Sequence, residues 1–236
     1  FGMAPRIVIA SLTAFLEEGA SVVLGDLRQD LLDEAKADLV QKGFLSEKIS
    51  TTQMNLTDLA TVKTTFDDAE KAFGKVDILV NIAGVIIGYY KLDDMREEDW
   101  DLTFKGLMEM SREFVKRLKA RNAGGSIVNV ASNAAKVCFA DMADYNASKA
   151  AVMNLTQSMA LEWAPYGINV NAVCPGAVDT AMLRKCMEES IRLYGGDMEE
   201  MRKTWGPPQL GRLIQPYEVG RVIRFLASED AVIIRG

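Results

Sequence analysis

The sequence predicts an α/β protein built on a doubly wound parallel sheet in three layers, α/β/α. Three observations support this class. Apolar strand segments alternate with helical segments along the 236 residues, as in a chain of βα units. The strand segments carry continuous rather than alternating apolar residues, which is typical of strands buried on both faces. No linker, repeat or low-complexity tract interrupts the pattern, so residues 1–236 are predicted to form one domain.

The elements follow one another in a regular order. The first strand is the short apolar run Arg6–Ile9, and the helix after it ends near Gly19. Residues 180–211 interrupt the alternation of strand and helix segments, because they are rich in Met and contain Gly195-Gly196 and Pro207-Pro208. This composition predicts a helical excursion. The predicted strands are 6–9, 21–26, 49–54, 76–84, 126–132 and 167–176, and the main helices are 10–20, 29–42, 58–73, 103–119, 146–164 and 216–227.

Composition and charge exclude several classes of function. The chain is 49% hydrophobic and 25% charged with a net charge of −6, which argues against nucleic acid or an anionic membrane as a main partner. No apolar run approaches the roughly 18 residues of a membrane span, and the first residues lack a signal-peptide layout. Cys138, Cys174 and Cys186 lack metal-type spacing, which favours reduced thiols in a cytoplasmic protein without a metal. The sequence has no histidine, so acid–base chemistry falls to other side chains.

A tyrosine and a lysine stand one helical turn apart after the strand 126–132. Tyr145 and Lys149 occupy positions i and i+4, so they share a helix face. A free phenol has a pKa near 10, and a nearby ammonium favours the phenolate and lowers that pKa. Ser132, at the strand end, can hold a substrate oxygen beside the phenol. These residues predict a proton-transfer site for the interconversion of an alcohol and a ketone.

Alone, the YxxxK spacing is more often an ordinary pair on a helix surface than a catalytic pair. Two further segments change this interpretation. NIAG (81–84) ends an earlier strand, and PGAVDT (175–180) follows a later one. Together with Ser132, these segments resemble the short-chain dehydrogenase/reductase family in its single-domain, Rossmann-like form, from about Leu12 to Gly236. The resemblance implies an oxidoreductase that transfers a hydride between NAD(H) and a secondary alcohol or ketone.

The sequence departs from the family pattern in three places. The glycine-rich turn that should approach the pyrophosphate is missing, because Ile9 runs directly into Ala10. The asparagine of the family's catalytic tetrad is missing near Phe104–Lys105, and the chain stops at Gly236, before the family's last strand. Either the protein is a degenerate relative, or segments are omitted at the two internal positions. We favour omission, which Cα–Cα distances of about 3.8 Å at both joins would contradict.

The resemblance implies cofactor contacts at residues that follow the strands. Asp26 ends a strand and is expected to bind the adenosine ribose and to repel a 2′-phosphate, which favours NAD over NADP. The alternative is a turn or helix-capping Asp, and Arg28 is near enough to complicate the choice. Further contacts are implied at Asn55, Leu56, Asn81, Ala83, Gly84, Tyr145, Lys149, Pro175, Gly176, Val178 and Thr180.

The resemblance also implies a role for each catalytic residue. Tyr145 is the general acid–base, Ser132 positions the substrate oxygen, and Lys149 lowers the pKa of Tyr145 and binds the nicotinamide ribose. The small-molecule substrate stays open between a hydroxysteroid, a sugar or polyol, and a 3-oxoacyl thioester, which Asp26 disfavours. The candidates for a mostly apolar substrate pocket are Asn133, Cys138, Met142, Met182, Leu183, Cys186 and Trp205. Each of them is equally interpreted as a residue of the packed core.

The alternative function is a binding or regulatory protein that keeps the fold without turnover. It predicts true deletion of the glycine turn and weak NAD binding, and the intact catalytic residues argue against it. The family resemblance also implies a homotetramer or homodimer. Its contacts would involve helices 103–119 and 146–164, the second of which carries the small residues Ala150, Ala151 and Ala160.

Overall fold

The computed structural model describes residues 5–84, 97–207 and 209–236, with the side chains of residues 5 and 97–104 left out. In these ranges the strands are β1 (Val22–Asp26), β2 (Ile49–Gln53), β3 (Ile78–Asn81), β4 (Gly125–Val130) and β5 (Ile168–Val173). The α-helices are α1 (Pro5–Glu17), α2 (Gln29–Gln41), α3 (Leu59–Phe73), α4 (Glu97–Ala120), α5 (Ala143–Trp163), α6 (Ala181–Tyr194), α7 (Met198–Trp205) and α8 (Pro216–Ala227).

The strands form two parallel sheets. In the first, β1 pairs with β2, from Val22 opposite Ile49 to Asp26 opposite Gln53. In the second, β4 lies between β3 and β5. The α/β class with parallel strands is confirmed, but the single sheet is divided. A doubly wound sheet places its first strand between the strands that correspond here to β1 and β3, and in the described residues no strand precedes β1.

The predicted first strand, 6–9, is wrong, because these residues belong to helix α1. Val8, Leu12 and Leu16 recur every four residues and are buried together, so the apolar run is one end of a helical stripe. The hydroxyl of Ser11 donates to the carbonyl of Ile7 at 2.8 Å, across the predicted end of the strand. Helix α1 contains the first suspected join, Ile9–Ala10, and α4 contains the second, Phe104–Lys105; omission of segments at these positions stays a prediction.

Helix layers cover both faces of the strands. One layer contains α3, α4 and α5, whose apolar side chains, such as Phe66 and Phe114, pack with Ile127 of β4. The other contains α1, α2 and α8. Helix α1 packs in both directions, since Val8 lies in the cluster of β1 and α2 and Ile7 lies in the cluster of α8 and β4. Apolar packing by α1 therefore joins the two sheets.

Residues 180–211, where the sequence predicts a helical excursion, contain α6 and α7. Thr180 and Asp197 cap these helices, because their side-chain oxygens accept backbone N–H groups of the first turns. Pro208 lies outside the described residues. In the part of the chain that the structure describes, no helix has the length and apolar character needed to cross a membrane.

Candidate active site

Helix α5 carries the tyrosine and the lysine of the YxxxK motif. It begins at Ala143, so Tyr145 lies in its first turn and Lys149 one turn later. Their side chains share a face, with Lys149 Nζ 5.6 Å from the centroid of the Tyr145 ring. Lys149 is only 7% exposed, and its ammonium donates to the carbonyl of Val130 at 2.9 Å. The lysine therefore ties the beginning of α5 to the end of β4.

Ser132 follows β4 and faces the phenol. It is buried, its hydroxyl donates to Asn133 Oδ1 at 3.2 Å, and it lies close enough to Tyr145 to act on the pKa of the phenol in the lowering direction. The backbone N–H of Asn133 donates to the carbonyl of Pro175 at 2.9 Å, which joins the loops after β4 and β5. The structure thus brings Ser132, Tyr145 and Lys149 together at the carboxyl end of β4.

Burial dominates the electrostatics of this pair. Burial raises the pKa of Tyr145 above its ordinary value of 10.0, against the lowering effect of the hydrogen bond from Ser132. In the free protein the pKa of Tyr145 is therefore raised on balance, and a lowering contribution from Lys149 stays a prediction. Burial also lowers the pKa of Lys149 from 10.5 to about 8, and its ammonium is directed at the Val130 carbonyl rather than at the phenol oxygen.

The residues suggested as pocket candidates fall in different environments. Cys186, on α6, is buried and close enough to Tyr145 to raise its pKa electrostatically. Met142 is buried just before α5, whereas Cys138 is exposed. The side chain of Asn133 lies near Gly176, where a Cβ atom would be 3.9 Å from Asn133 Nδ2. The partly buried candidates are Met182, Leu183 and Trp205.

Sequence reasoning missed Asn146, the residue after Tyr145. Its Nδ2 donates to the carbonyl of Phe139 at 2.7 Å, and its Oδ1 accepts the Phe139 N–H at 3.4 Å. This amide holds the loop 136–142, in which the side chains of Val137 and Phe139 are exposed. An amide inside the alanine-rich start of a helix was the signal that could have found it.

Asp26 occupies the end of β1 and is buried. Its Oδ1 accepts the backbone N–H of Arg28 at 2.8 Å, so the turn role that the sequence left open is present. The guanidinium of Arg28 pairs with Asp30, which satisfies the nearby cation. A buried carboxylate at a strand end is also the group that a dinucleotide-binding fold presents to a ribose.

The residues after β2 serve the local structure. Asn55 Oδ1 accepts the N–H of Thr57 at 3.0 Å and its hydroxyl at 2.8 Å. The side chain of Leu56 packs against Gly106 of α4, where a Cβ atom would come within 2.6 Å of Leu56 Cβ. A larger residue at position 106 would collide with Leu56, which accounts for the glycine there.

The segments after β3 and β5 surround the lysine and the start of α6. A Cβ atom on Gly84 would lie 3.0 Å from Lys149 Nζ, whereas Ala83 is exposed. Beyond Pro175, Val178 forms a parallel bridge with Ile214. The Thr180 hydroxyl accepts the N–H of a residue in the first turn of α6 at 3.2 Å.

These residues fit parts of NAD(P)(H). The buried Lys149 ammonium has three donors, one of which is used by Val130, and the absence of a side chain on Gly84 leaves room for this ammonium. Asp26 suits the adenosine ribose. The glycine-rich pyrophosphate turn is not found in residues 5–84, 97–207 and 209–236, and neither is a His, Cys, Asp and Glu group suited to a metal ion.

The fold and site together define a class of protein. A buried serine, a tyrosine and a lysine lie beside the carboxyl ends of parallel strands, where α/β proteins bind their ligands. Such a site can exchange a proton with an alcohol oxygen while a bound cofactor exchanges a hydride. The arrangement is that of an α/β oxidoreductase.

Comparison with known families agrees with this class. The family model described as short chain dehydrogenase matches residues 7–190. The chain belongs to the short-chain dehydrogenase/reductase family, and by that membership it is an oxidoreductase acting on CH–OH groups.

Individual relatives cover nearly the whole chain. It is 35% identical over 239 residues to the NAD-dependent glycerol dehydrogenase of Listeria innocua, covering 100% of this chain and 87% of that protein. It is 35% identical over 241 residues to the 3-oxoacyl-[acyl-carrier-protein] reductase FabG of Thermotoga maritima, covering 100% of this chain and 91% of the relative. A variant of actinorhodin polyketide ketoreductase solved with NADPH superposes with a TM-score of 0.89 at 27% identity, covering 97% of this chain and 88% of the other.

Proposed function

We propose that the protein interconverts a secondary alcohol and a ketone with NAD(H), and that Tyr145 is its general acid–base. The observation that carries this proposal is the arrangement of three side chains. Buried Ser132 lies close enough to the partly buried Tyr145 to act on the pKa of its phenol, and Lys149 Nζ lies 5.6 Å from the ring. A substrate oxygen that replaces the serine–tyrosine contact meets both hydroxyl groups at once.

The proton steps follow from the state of these side chains. In reduction, the Tyr145 phenol donates its proton to the developing alkoxide, while the Ser132 hydroxyl holds the same oxygen. In oxidation, the phenolate accepts the alcohol proton. The cofactor supplies the hydride chemistry when it is bound. Because the pKa of Tyr145 is raised in the free protein, the phenol is protonated at neutral pH, so oxidation should accelerate as the pH rises.

The preference for NAD is inferred from Asp26. A buried carboxylate at the end of β1 repels a 2′-phosphate and accepts hydrogen bonds from ribose hydroxyls. The relative from Listeria innocua is named NAD-dependent, which supports the same choice, whereas the ketoreductase structure holds NADPH. We place a secondary alcohol on a polyol, sugar or hydroxysteroid ahead of a 3-oxoacyl thioester.

Tyr145→Phe tests the central role. The variant should lose at least about 10²-fold in turnover, the scale of general acid–base catalysis, while NADH titration by fluorescence gives an unchanged dissociation constant. Tyr166→Phe is the matched control, because Tyr166 is half exposed and lies under Lys119, 3.6 Å from its ammonium. Activity of Tyr145→Phe within a few-fold of the wild type would refute the assignment.

The divided sheet favours one alternative function, a binding or regulatory protein without turnover. In the described residues, no strand and no glycine-rich turn lie before β1, where a dinucleotide-binding fold holds the pyrophosphate. NADH titration separates the two functions. Binding together with turnover of a panel of secondary alcohols supports the enzyme, and the absence of NADH binding supports the alternative.

We further propose a cytoplasmic homotetramer or homodimer. Cys138 and Cys174 are free thiols, which suits a reducing compartment. Leu161, on α5, is 79% exposed and therefore accessible on the helix that the family resemblance assigns to the interface. Light scattering of the wild type and of Leu161→Glu tests the assembly, since a charge at such a contact should shift the mass toward the monomer.

A further inference from the structure

A chain of buried polar side chains crosses the molecule from α4 to α5. Ser111 Oγ donates to the carbonyl of Leu107 at 2.8 Å and accepts Asn81 Nδ2 at 3.2 Å. Asn81 Nδ2 also donates to Asn129 Oδ1 at 2.9 Å. Asn129 Nδ2 in turn donates to Thr156 Oγ1 at 2.9 Å. We call Ser111, Asn81, Asn129 and Thr156 the polar chain.

The polar chain is costly to bury unless every member is paired. Ser111 and Asn129 are 0% exposed and Thr156 is 1% exposed. Well-packed apolar side chains of similar shape can stabilise a core equally well, so a fully paired buried network mainly specifies one arrangement of the elements that it joins. Here those elements are α4, β3, β4 and α5.

The last contact of the polar chain lies on the catalytic face of α5. Tyr145, Lys149 and Thr156 are separated by four and seven residues, so they form one stripe along the helix. Asn129, the partner of Thr156, directly precedes Val130, whose carbonyl accepts the Lys149 ammonium. Asn129 and Val130 are consecutive residues of β4, and each makes one of these contacts. Together the two contacts attach the face of α5 that carries the Tyr145 phenol to β4.

We propose that the Asn129–Thr156 hydrogen bond is a positioning contact that sets the place of Tyr145 relative to Ser132. The inference rests on the proposed function. Ser132 follows β4 and Tyr145 belongs to α5, so a shift of α5 along β4 changes the distance between their hydroxyl groups. One residue of slip moves a helix by about 1.5 Å, and misplacement of about 1 Å at a reacting centre can cost about 10²-fold in rate.

Three variants of Thr156 test the contact. Thr156→Val keeps the shape and removes the hydroxyl, and it should lower kcat about 10-fold or more while the KM for NAD changes less than about 3-fold. Thr156→Ser keeps the donor and acceptor and should restore kcat to within about 3-fold of the wild type. Thr156→Ala removes the hydroxyl without a β-branched side chain and should reproduce the loss. Ile223→Val, in the core on α8, is the control for destabilisation without loss of the contact.

The outcomes separate this inference from the proposed function. The inference is overturned if Thr156→Val or Thr156→Ala keeps wild-type kcat, if Thr156→Ser loses as much as Thr156→Val, or if Ile223→Val lowers kcat equally. Failure of both Thr156→Val and Thr156→Ala to fold, judged by circular dichroism, also overturns it, because the contact is then structural. The proposed function fails independently, if Tyr145→Phe retains turnover.

Discussion

Lys149→Met should make the free protein more stable at neutral pH. Lys149 is buried, and burial lowers its pKa from 10.5 to about 8, although Cys174 acts in the raising direction. In the unfolded chain the ammonium stays charged up to about pH 10.4. The folded state therefore binds fewer protons between about pH 8 and 10.5, and stability rises with pH through that window. Below about pH 8 the cost of the buried charge is present in full.

The size of this cost follows from the two pKa values. The difference between 10.5 and about 8 corresponds to about 3 kcal/mol, at roughly 1.4 kcal/mol for each tenfold change in the proton equilibrium. Methionine fills a similar volume without a charge, but it loses the hydrogen bond to the Val130 carbonyl, worth about 1 kcal/mol. The net gain in the free energy of unfolding at pH 7 is about 2 kcal/mol, and it should reverse to a loss of about 1 kcal/mol near pH 10.5.

Urea unfolding followed by tryptophan fluorescence at pH 7, 8, 9 and 10, without cofactor, measures this difference. Lys203→Met is the control, since Lys203 is an exposed lysine on α7 paired with Glu199, and its effect should stay within about 0.5 kcal/mol. A difference between Lys149→Met and the wild type that does not change with pH would refute the reasoning. So would a variant that is less stable than the wild type at pH 7.

Three further predictions concern other residues. Asn146→Ala should raise the KM for the alcohol about 5-fold with a smaller change in kcat, because it releases the loop held at Phe139; steady-state kinetics test this, and an unchanged KM would contradict it. Asp26→Ser keeps an acceptor for the turn but removes the charge, so the ratio of kcat/KM for NAD to that for NADP should fall about 10-fold or more; an unaltered ratio would show that Asp26 serves the turn alone. Arg117→Met should destabilise the fold by about 1–2 kcal/mol, because Arg117 pairs with three carboxylates of α3 and α4. Urea unfolding at low and high salt checks this, since the loss should shrink as salt screens the pairs, and an equal loss at both would count against it.

The sequence was sufficient to predict those parts of the candidate site that depend on the spacing of residues along the chain. Tyr145 and Lys149 share a helix face because four residues make about one turn, and Ser132 follows a parallel strand beside them. The sequence could not supply the protonation states, since these depend on burial by distant elements. The pKa of Tyr145 is raised rather than lowered because burial outweighs the hydrogen bond from Ser132.

The incorrect strand has a different cause. In the predicted strand Arg6–Ile9, only Ile7, Val8 and Ile9 are apolar, and this stretch is too short to distinguish a strand from a helix by periodicity alone. The segment after Ile9 extends the same stripe through Leu12 and Leu16, and this longer pattern decides for helix. The polar chain was missed because a local pattern does not reveal its contacts. Asn129 stands inside an apolar strand, and its partner Thr156 follows 27 residues later.

The division of the strands into two separate sheets has a consequence for any ligand as long as a dinucleotide. Asp26 belongs to one sheet and Ser132 follows a strand of the other, so among residues 5–84, 97–207 and 209–236 no backbone ladder fixes the span between the two ends of such a ligand. That span is set by the apolar contacts of helix α1 with both sheets. Side-chain packing adjusts more readily than a ladder of backbone bonds, and the fit of an extended cofactor is therefore governed by a helix that need not touch it.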